Sequence, residues 1–225
     1  MLTIFDCDGV LIDSEIISSE VTAKVLGEEG LTITAEEITA RFAGLASGEM
    51  EAILSEESGL PVSGRIRERI QEEFDRRIAH VKPVPGIVAL LDALDGPRCV
   101  GSNADTAYLK RALTSAGLWD RFKPYVFSAP DVGTGKGKPD PNVFLYAARE
   151  FGIDPADTIV IEDSFAGVSA AVAAGMRAIG FTGGAHSWPG HAEVLMEAGA
   201  ETVVRRHADV AAVIEAFRNW DGRDL

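Results

Sequence analysis

Two carboxylates, Asp6 and Asp8, end an apolar run in the stretch Thr3 to Glu15, TIFDCDGVLIDSE, and Gly9 turns the chain behind them. Residues i and i+2 of a strand share a face, so both acids can lean into one pocket. An isolated buried carboxylate is costly, and two close together resist ionising together unless a cation or a proton intervenes. A bound divalent metal resolves the conflict. Hard oxygen donors suit Mg2+, which is commonly held by one or two carboxylates beside a substrate phosphate. In that setting one acid can attack phosphorus to give an aspartyl-phosphate, and the other can carry the proton. Asp-x-Asp-Gly by itself also occurs in calcium loops and plain turns. A calcium loop counted from Asp6 needs a bidentate Glu at its twelfth position, where Ile17 stands.

Three later stretches supply partners. Gly101-Ser102-Asn103 ends an apolar run, so the Ser102 hydroxyl and the N–H groups around Asn103 can hold phosphoryl oxygens, although the same residues suit an ordinary turn or helix cap. Lys138, before Pro139, can neutralise a phosphate and Asp6 together. Ile161-Glu162-Asp163-Ser164 repeats the opening theme of a buried run ending in acids. An acid pair, a hydroxyl, a lysine and a second acid pair are the parts of a metal-assisted phosphoryl transfer.

The elements that must position these residues are legible from periodicity. From Ser14 to about Val81 the texture is helical: Ser14 to Gly27, a second helix opened by the Thr34/Glu37 capping box and ending near Gly44, a third from Gly48 to Ser58, and a fourth with Ile66, Ile70, Phe74 and Ile78 on one stripe. The arginines of the fourth, Arg65, Arg69, Arg76 and Arg77, are expected to pair with Glu68, Glu72, Glu73 and Asp75 along the same helix. After Pro85-Gly86 helices and strands alternate. Helices are expected over Ile87 to Leu94, Thr106 to Ala116, from the Asp140 cap and Pro141 to Phe151, and over Val168 to Ala174. Strands are expected over Arg98 to Ser102, Tyr125 to Ser128, Thr158 to Ile161, Arg177 to Phe181 and Thr202 to Arg205. The N-terminal strand belongs with this second half. The fold class is therefore α/β: a doubly wound parallel-sheet core of residues 1–13 and 83–225, interrupted by an all-helical insert over 14–82.

At 225 residues the chain is ample for a real core. Its net charge of -14 argues against a nucleic-acid partner and against anionic membranes. No apolar run reaches the roughly 18 residues of a membrane span, and the first strand starts almost at Met1, leaving no room for a leader; a cytoplasmic protein is expected. Cys7 and Cys99 lie in separate apolar runs and read as small buried residues. There are no repeats and no low-complexity tract.

Taken in order, FDCDGVLIDSE, GSN, GKPDP and IEDS resemble the four motifs of the haloacid dehalogenase superfamily of phosphatases, and the resemblance spans nearly the whole chain. It implies a Rossmann-like core with the insert as a helical cap. It also implies Asp6 as nucleophile and Asp8 as general acid and base, with Ser102, Asn103 and Lys138 as phosphate ligands. Glu162 and Asp163 would complete a Mg2+ site with Asp6 and the Asp8 backbone carbonyl, Mn2+ or Co2+ being able to substitute. Lys136 stands at the family's usual spacing from Asp131, but Pro139 favours Lys138. True dehalogenases lack the acid at Asp8. The β-phosphoglucomutases carry a cap His where Ser18 stands and a cap Arg where Ser47 stands, which weighs against a mutase and leaves hydrolysis. DCDG, RCVGSN and KPDP are similar to the sugar-phosphate branch that includes 6-phosphogluconate phosphatase, so the implied partner is a small phosphorylated metabolite, turned over by a monomer. Receiver domains also join acids, a hydroxyl and a lysine on a parallel sheet, but are about half this length and lack the insert. Substrate choice is expected from the cap loop FAGLASG, at Gly44, Ala46 and Ser47, or from His186 and Trp188 in the Gly183 to Gly190 loop.

Overall fold

Six short β-branched and apolar runs pair side by side, because each is hydrophobic on both faces and must be covered on both. The computed structural model describes residues 1–42, 47–59, 61, 62 and 64–219. Strands β1 (Leu2–Phe5), β2 (Arg98–Ser102), β3 (Val126–Ser128), β4 (Thr158–Glu162), β5 (Arg177–Phe181) and β6 (Thr202–Val204) form one parallel sheet in the order β3-β2-β1-β4-β5-β6. Register is fixed at the centre by Ile4 opposite Cys99 on one side and Val160 on the other.

Alternation decides what each face buries. Phe5, Ile159 and Ile161 point to one side, where α5 (Ile87–Ala93), α6 (Thr106–Ser115) and α11 (His207–Asn219) pack. Leu2, Ile4 and Val160 point to the other, under α8 (Asn142–Phe151), α9 (Phe165–Ala173) and α10 (His191–Glu197). The remaining core helix, α7 (Trp119–Phe122), closes the first layer through the buried Phe122. Strand order reverses between β1 and β4, and ligands of doubly wound sheets bind at the carboxyl ends of the strands at such a point.

Between β1 and α5 the chain runs through four helices: α1 (Ser14–Glu28), α2 (Ala35–Phe42), α3 (Ser47–Ser58) and α4 (Gly64–Ile78). They share a cluster of their own built on Val21, Leu26, Ile38, Leu54 and Ile66. The capping box forms as read, with Glu37 N donating to Thr34 Oγ1 at 3.1 Å and Thr34 N to Glu37 Oε2 at 2.8 Å. The arginine pairing differs from expectation. Arg65 reaches Glu29 at 3.2 Å, Arg69 pairs with Glu28 and Glu29, and Arg77 with Glu20 at 2.5 Å, acids on α1 or, for Glu29, at its C-cap. Of the four, Arg76 alone follows the reading, pairing with Glu73 at 2.9 Å. Packing of α4 against α1 brings those acids closer than the next turn of α4 itself. Gly44 and Ala46 lie outside the described residues; Ser47 opens α3.

Both chain connections to these helices are tied to each other. Asp13 N donates to Lys82 O at 3.2 Å and Val84 N to Leu11 O at 2.9 Å. Among the described residues no helix is long and apolar enough to cross a membrane.

Candidate active site

Asp6 continues the pairing of β1, its N–H donating to Ile161 O at 3.0 Å, so its buried carboxyl emerges where the strand order reverses. The chain then turns tightly: Gly9 N donates to Ile12 O at 2.8 Å and Leu11 N to Cys7 O at 2.9 Å. Gly9 has φ +76°, and a Cβ there would lie 1.8 Å from Asp163 Oδ2, so only glycine lets this turn press against the second acid pair. Asp8 faces the insert. Its Oδ1 accepts from Ser14 Oγ, the first residue of α1, and from Tyr108 OH on α6, each at 2.6 Å.

The end of β2 brings Ser102, whose Oγ accepts from Ala104 N at 3.1 Å. Both functions of the Asn103 amide are taken by the backbone of Lys138, with Oδ1 accepting from Lys138 N at 2.7 Å and Nδ2 donating to Lys138 O at 3.3 Å. That clamp aims the Lys138 side chain inward, where Nζ donates to Asp6 Oδ1 and, at 2.6 Å, to Glu162 Oε1. Lys138 is 3% exposed; Lys136 is 70% exposed, with its Nζ 3.7 Å from Asp140 at the surface. At the end of β4, Glu162 Oε2 accepts from Ser164 N and Ser164 Oγ, and Ser164 Oγ caps α9 by accepting from Gly167 N at 3.0 Å. This cap starts α9 at Phe165, three residues ahead of the expected Val168. Asp163 Oδ2 lies 3.0 Å from His186 Nε2, and its carbonyl 2.7 Å from His191 Nε2. Trp188 stacks on His191 with ring centroids 3.9 Å apart.

These groups line a cleft of about 660 Å³ between the sheet edge and α1 and α2. Burial pushes the Asp6 carboxyl well above the usual range; Lys138 opposes this, while Glu162, Asp163 and Asp8 add to it. Burial also raises Asp8, against the hydrogen bonds from Ser14 and Tyr108, and raises Asp163, against the contact with His186. Lys138 is pushed down by burial, but Asp6 and Glu162 together outweigh this and hold it above an ordinary lysine. The site therefore combines a charged lysine with carboxyls that keep their protons to higher pH than usual.

The family description "haloacid dehalogenase-like hydrolase" matches residues 1–175. The chain belongs to the haloacid dehalogenase-like hydrolases. It is 30% identical over 187 residues to the 6-phosphogluconate phosphatase of Escherichia coli K12, covering 82% of this chain and 84% of that one. Among solved structures it resembles a haloacid dehalogenase-like protein of unknown function from Agrobacterium tumefaciens C58, at TM-score 0.92 and 43% identity over 96% and 98% of the two chains. It also resembles a hydrolase of the family from Deinococcus radiodurans with bound phosphate and sodium, at TM-score 0.86 and 31% identity over 96% of each chain. The chain is a phosphoric monoester hydrolase.

In this hydrolase Asp6, Asp8, Ser102, Asn103, Lys138 and Asp163 all line one cleft, with Glu162 directly beneath, behind Lys138. Carboxylate oxygens of Asp6, Glu162 and Asp163 lie within 4.8 Å of one another. Three buried acids facing one ammonium leave an excess of negative charge, and the donors are all hard oxygens, so the residues fit a divalent cation such as Mg2+. The Asp8 side chain is not part of that cluster, its Oδ1 accepting from Ser14 and Tyr108. Ser18 lines the cleft with a hydroxyl. Sequence reasoning missed Tyr108, Glu15 and His191. A polar-tipped aromatic in the first turn of the helix after GSN was the available signal for Tyr108, since a buried phenol needs a partner.

Proposed function

We propose that this hydrolase cleaves a small phosphorylated metabolite, a sugar phosphate or phosphosugar acid, through an aspartyl-phosphate on Asp6, with α1–α4 (residues 14–82) acting as a cap over the core. The observation that carries the reading is the pairing of Asp6 with the buried Lys138 beside a second carboxyl, Asp8, whose proton is retained by burial. Asp6 attacks phosphorus while Asp8 gives its proton to the departing ester oxygen. A water then attacks the phospho-aspartate, Asp8 takes the proton, and inorganic phosphate leaves. General acid and base help of this kind contributes about 10²- to 10⁴-fold. Lys138, the Ser102 hydroxyl and the N–H groups at the end of β2 bind the phosphoryl oxygens. Asp6, Glu162, Asp163 and the Asp8 carbonyl would hold Mg2+, which when bound neutralises phosphoryl charge.

The likeness to a 6-phosphogluconate phosphatase supports the substrate class. A screen of phosphorylated sugars and sugar acids with Mg2+, reading released phosphate, tests the proposal. Multiple turnover that stops in excess EDTA and returns with Mg2+ is expected. Full activity in EDTA, or a stable phosphoprotein without turnover, would overturn it.

A further inference from the structure

Asp8 is gripped at one oxygen from two different elements. Its Oδ1 accepts from Ser14 Oγ and from Tyr108 OH, each at 2.6 Å, whereas its Oδ2 takes part in no hydrogen bond among the described residues. Asp8 also lines the cleft. Two hydroxyl donors on one oxygen give a carboxyl two unlike ends. Oδ1 is fixed, and Oδ2 is the oxygen available to give or take a proton.

Ser14 comes with the first motif, but Tyr108 lies outside all four, in the first turn of α6. Its N–H donates to the Asp105 cap at 2.8 Å, so the start of the helix sets its backbone. Its ring stacks on Phe74 of α4, with centroids 6.2 Å apart and planes 15° from parallel. Phe74 in turn packs against both the core cluster and the cluster of the insert. Tyr108, Arg111 and Ser115 share a face of α6, and the other two also meet the C-terminal end of α4. Arg111 pairs with Asp75 at 2.8 Å, and Ser115 Oγ donates to Ala79 O at 2.7 Å. Packing alone would be served by a phenylalanine at 108; the hydroxyl is what Asp8 receives.

We propose that Tyr108 is a positioning residue for the reaction: its phenol, braced by Phe74, pins Asp8 Oδ1 and so keeps Oδ2 presented to the oxygen of the departing ester. The inference rests on the phosphatase reading above, in which Asp8 gives its proton to that oxygen. Proton transfer needs the donor within hydrogen-bond reach of its acceptor. With Ser14 as sole partner the carboxyl pivots about one contact; a second contact from another element stops the pivot. The consequence depends on the leaving group. A sugar alkoxide leaves poorly and needs the proton, whereas p-nitrophenolate is stable as an anion near neutral pH and departs without it.

The test compares kcat/KM for three alkyl esters, glucose 6-phosphate, fructose 1-phosphate and 6-phosphogluconate, with kcat/KM for p-nitrophenyl phosphate. Tyr108→Phe keeps the ring and its stack and removes only the O–H. It should lower kcat/KM for the alkyl esters by on the order of tenfold, the scale of one hydrogen bond, and for p-nitrophenyl phosphate by several-fold less. Phe74→Leu, which keeps every group that touches Asp8, should repeat the pattern more weakly and carries the test if Tyr108→Phe does not fold, as judged by thermal melts. An equal loss on alkyl and aryl esters assigns Tyr108 to packing and overturns the inference, as does an unchanged kcat/KM for the alkyl esters in Tyr108→Phe; either result leaves the phosphatase reading standing. Release of phosphate by the wild type from none of the alkyl esters overturns that reading and the inference with it.

Discussion

Lys138 and Lys136 are two residues apart, yet their replacement should have opposite consequences. Lys138 is 3% exposed and bridges Asp6 and Glu162, the latter wholly buried. Lys138→Ala therefore strands two buried acids, and breaking a buried pair from one side costs about 3–5 kcal/mol. Against a typical domain stability of about 5–15 kcal/mol this is a large fraction. Because a divalent cation would compensate the same acids, the loss should shrink when Mg2+ is added. Activity should fall by about 10²- to 10³-fold, the range for removing one group aimed at developing charge. Lys136 is 70% exposed and 3.7 Å from Asp140, a surface pair of about 0–1 kcal/mol. Lys136→Ala should leave both stability and activity near wild type. The assays are urea unfolding with and without Mg2+ and phosphate release at saturating substrate, with Lys138→Met as a volume-keeping companion. Activity of Lys138→Ala within about threefold of wild type, or a larger loss in Lys136→Ala, would refute the assignment.

Three further outcomes are expected. Asp6→Asn should release no phosphate, while Asp8→Asn should be slowed by about 10²- to 10⁴-fold and leave phosphoprotein visible by intact-mass measurement; normal release by either variant contradicts the mechanism. Asp6, Asp8 and Asp163 all have raised native values, so the metal-free folded chain binds more protons than the unfolded one above about pH 4 and these groups cost stability as pH rises through their native values. Metal requires the ionised forms, so the rise in Tm on adding Mg2+ should be larger at pH 8 than at pH 5, and the reverse order would count against this cation site. A Cβ on Gly167 would stand 1.9 Å from the Glu162 carboxyl, which Lys138 and Ser164 hold in place. Gly167→Ala should therefore destabilise by about 1–3 kcal/mol and lower activity, although alanine is the better helix former by about 1 kcal/mol; a stabilised, active variant would show that Glu162 moves freely.

The catalytic strands were readable because each joins an apolar run to a polar terminus. TIF before Asp6 and TIVI before Glu162 can be little else than buried strands with acids at the lip, and both lie at the sheet centre. Lys138 was readable through Pro139, but its distance from Asp131 left Lys136 as a rival until burial separated them. Tyr108 was hidden because its helix face looks apolar in sequence, and nothing local says that its hydroxyl meets an acid 100 residues earlier. Arg65, Arg69 and Arg77 of α4 were misassigned for a related reason: local spacing suggests partners one turn away, as Arg76 does find in Glu73, whereas packing on α1 supplies nearer ones. Helices α7, α10 and α11 went unread because the first two are only 4 and 7 residues long and the third follows a mixed Ala/Val pattern. Glu15 read as the tail of the first motif, and only the structure shows that it lines the cleft.

The position of β1 in the middle of the sheet has a consequence for the birth of the enzyme. Asp6 is among the first residues made, but Leu2–Phe5 has no strand neighbour until residues 98–100 emerge from the ribosome, and none on its other side until residues 158–161 do. At about 5–20 residues per second the wait is on the order of ten seconds, during which an apolar strand is open to chaperones and to other nascent chains. Lys138 emerges before Glu162 and Asp163, so the charge that Asp6 first meets is the lysine and the acid cluster is completed last. A message truncated anywhere before β4 therefore yields a chain that holds Asp6 without Glu162 and Asp163, the other two acids of its cluster.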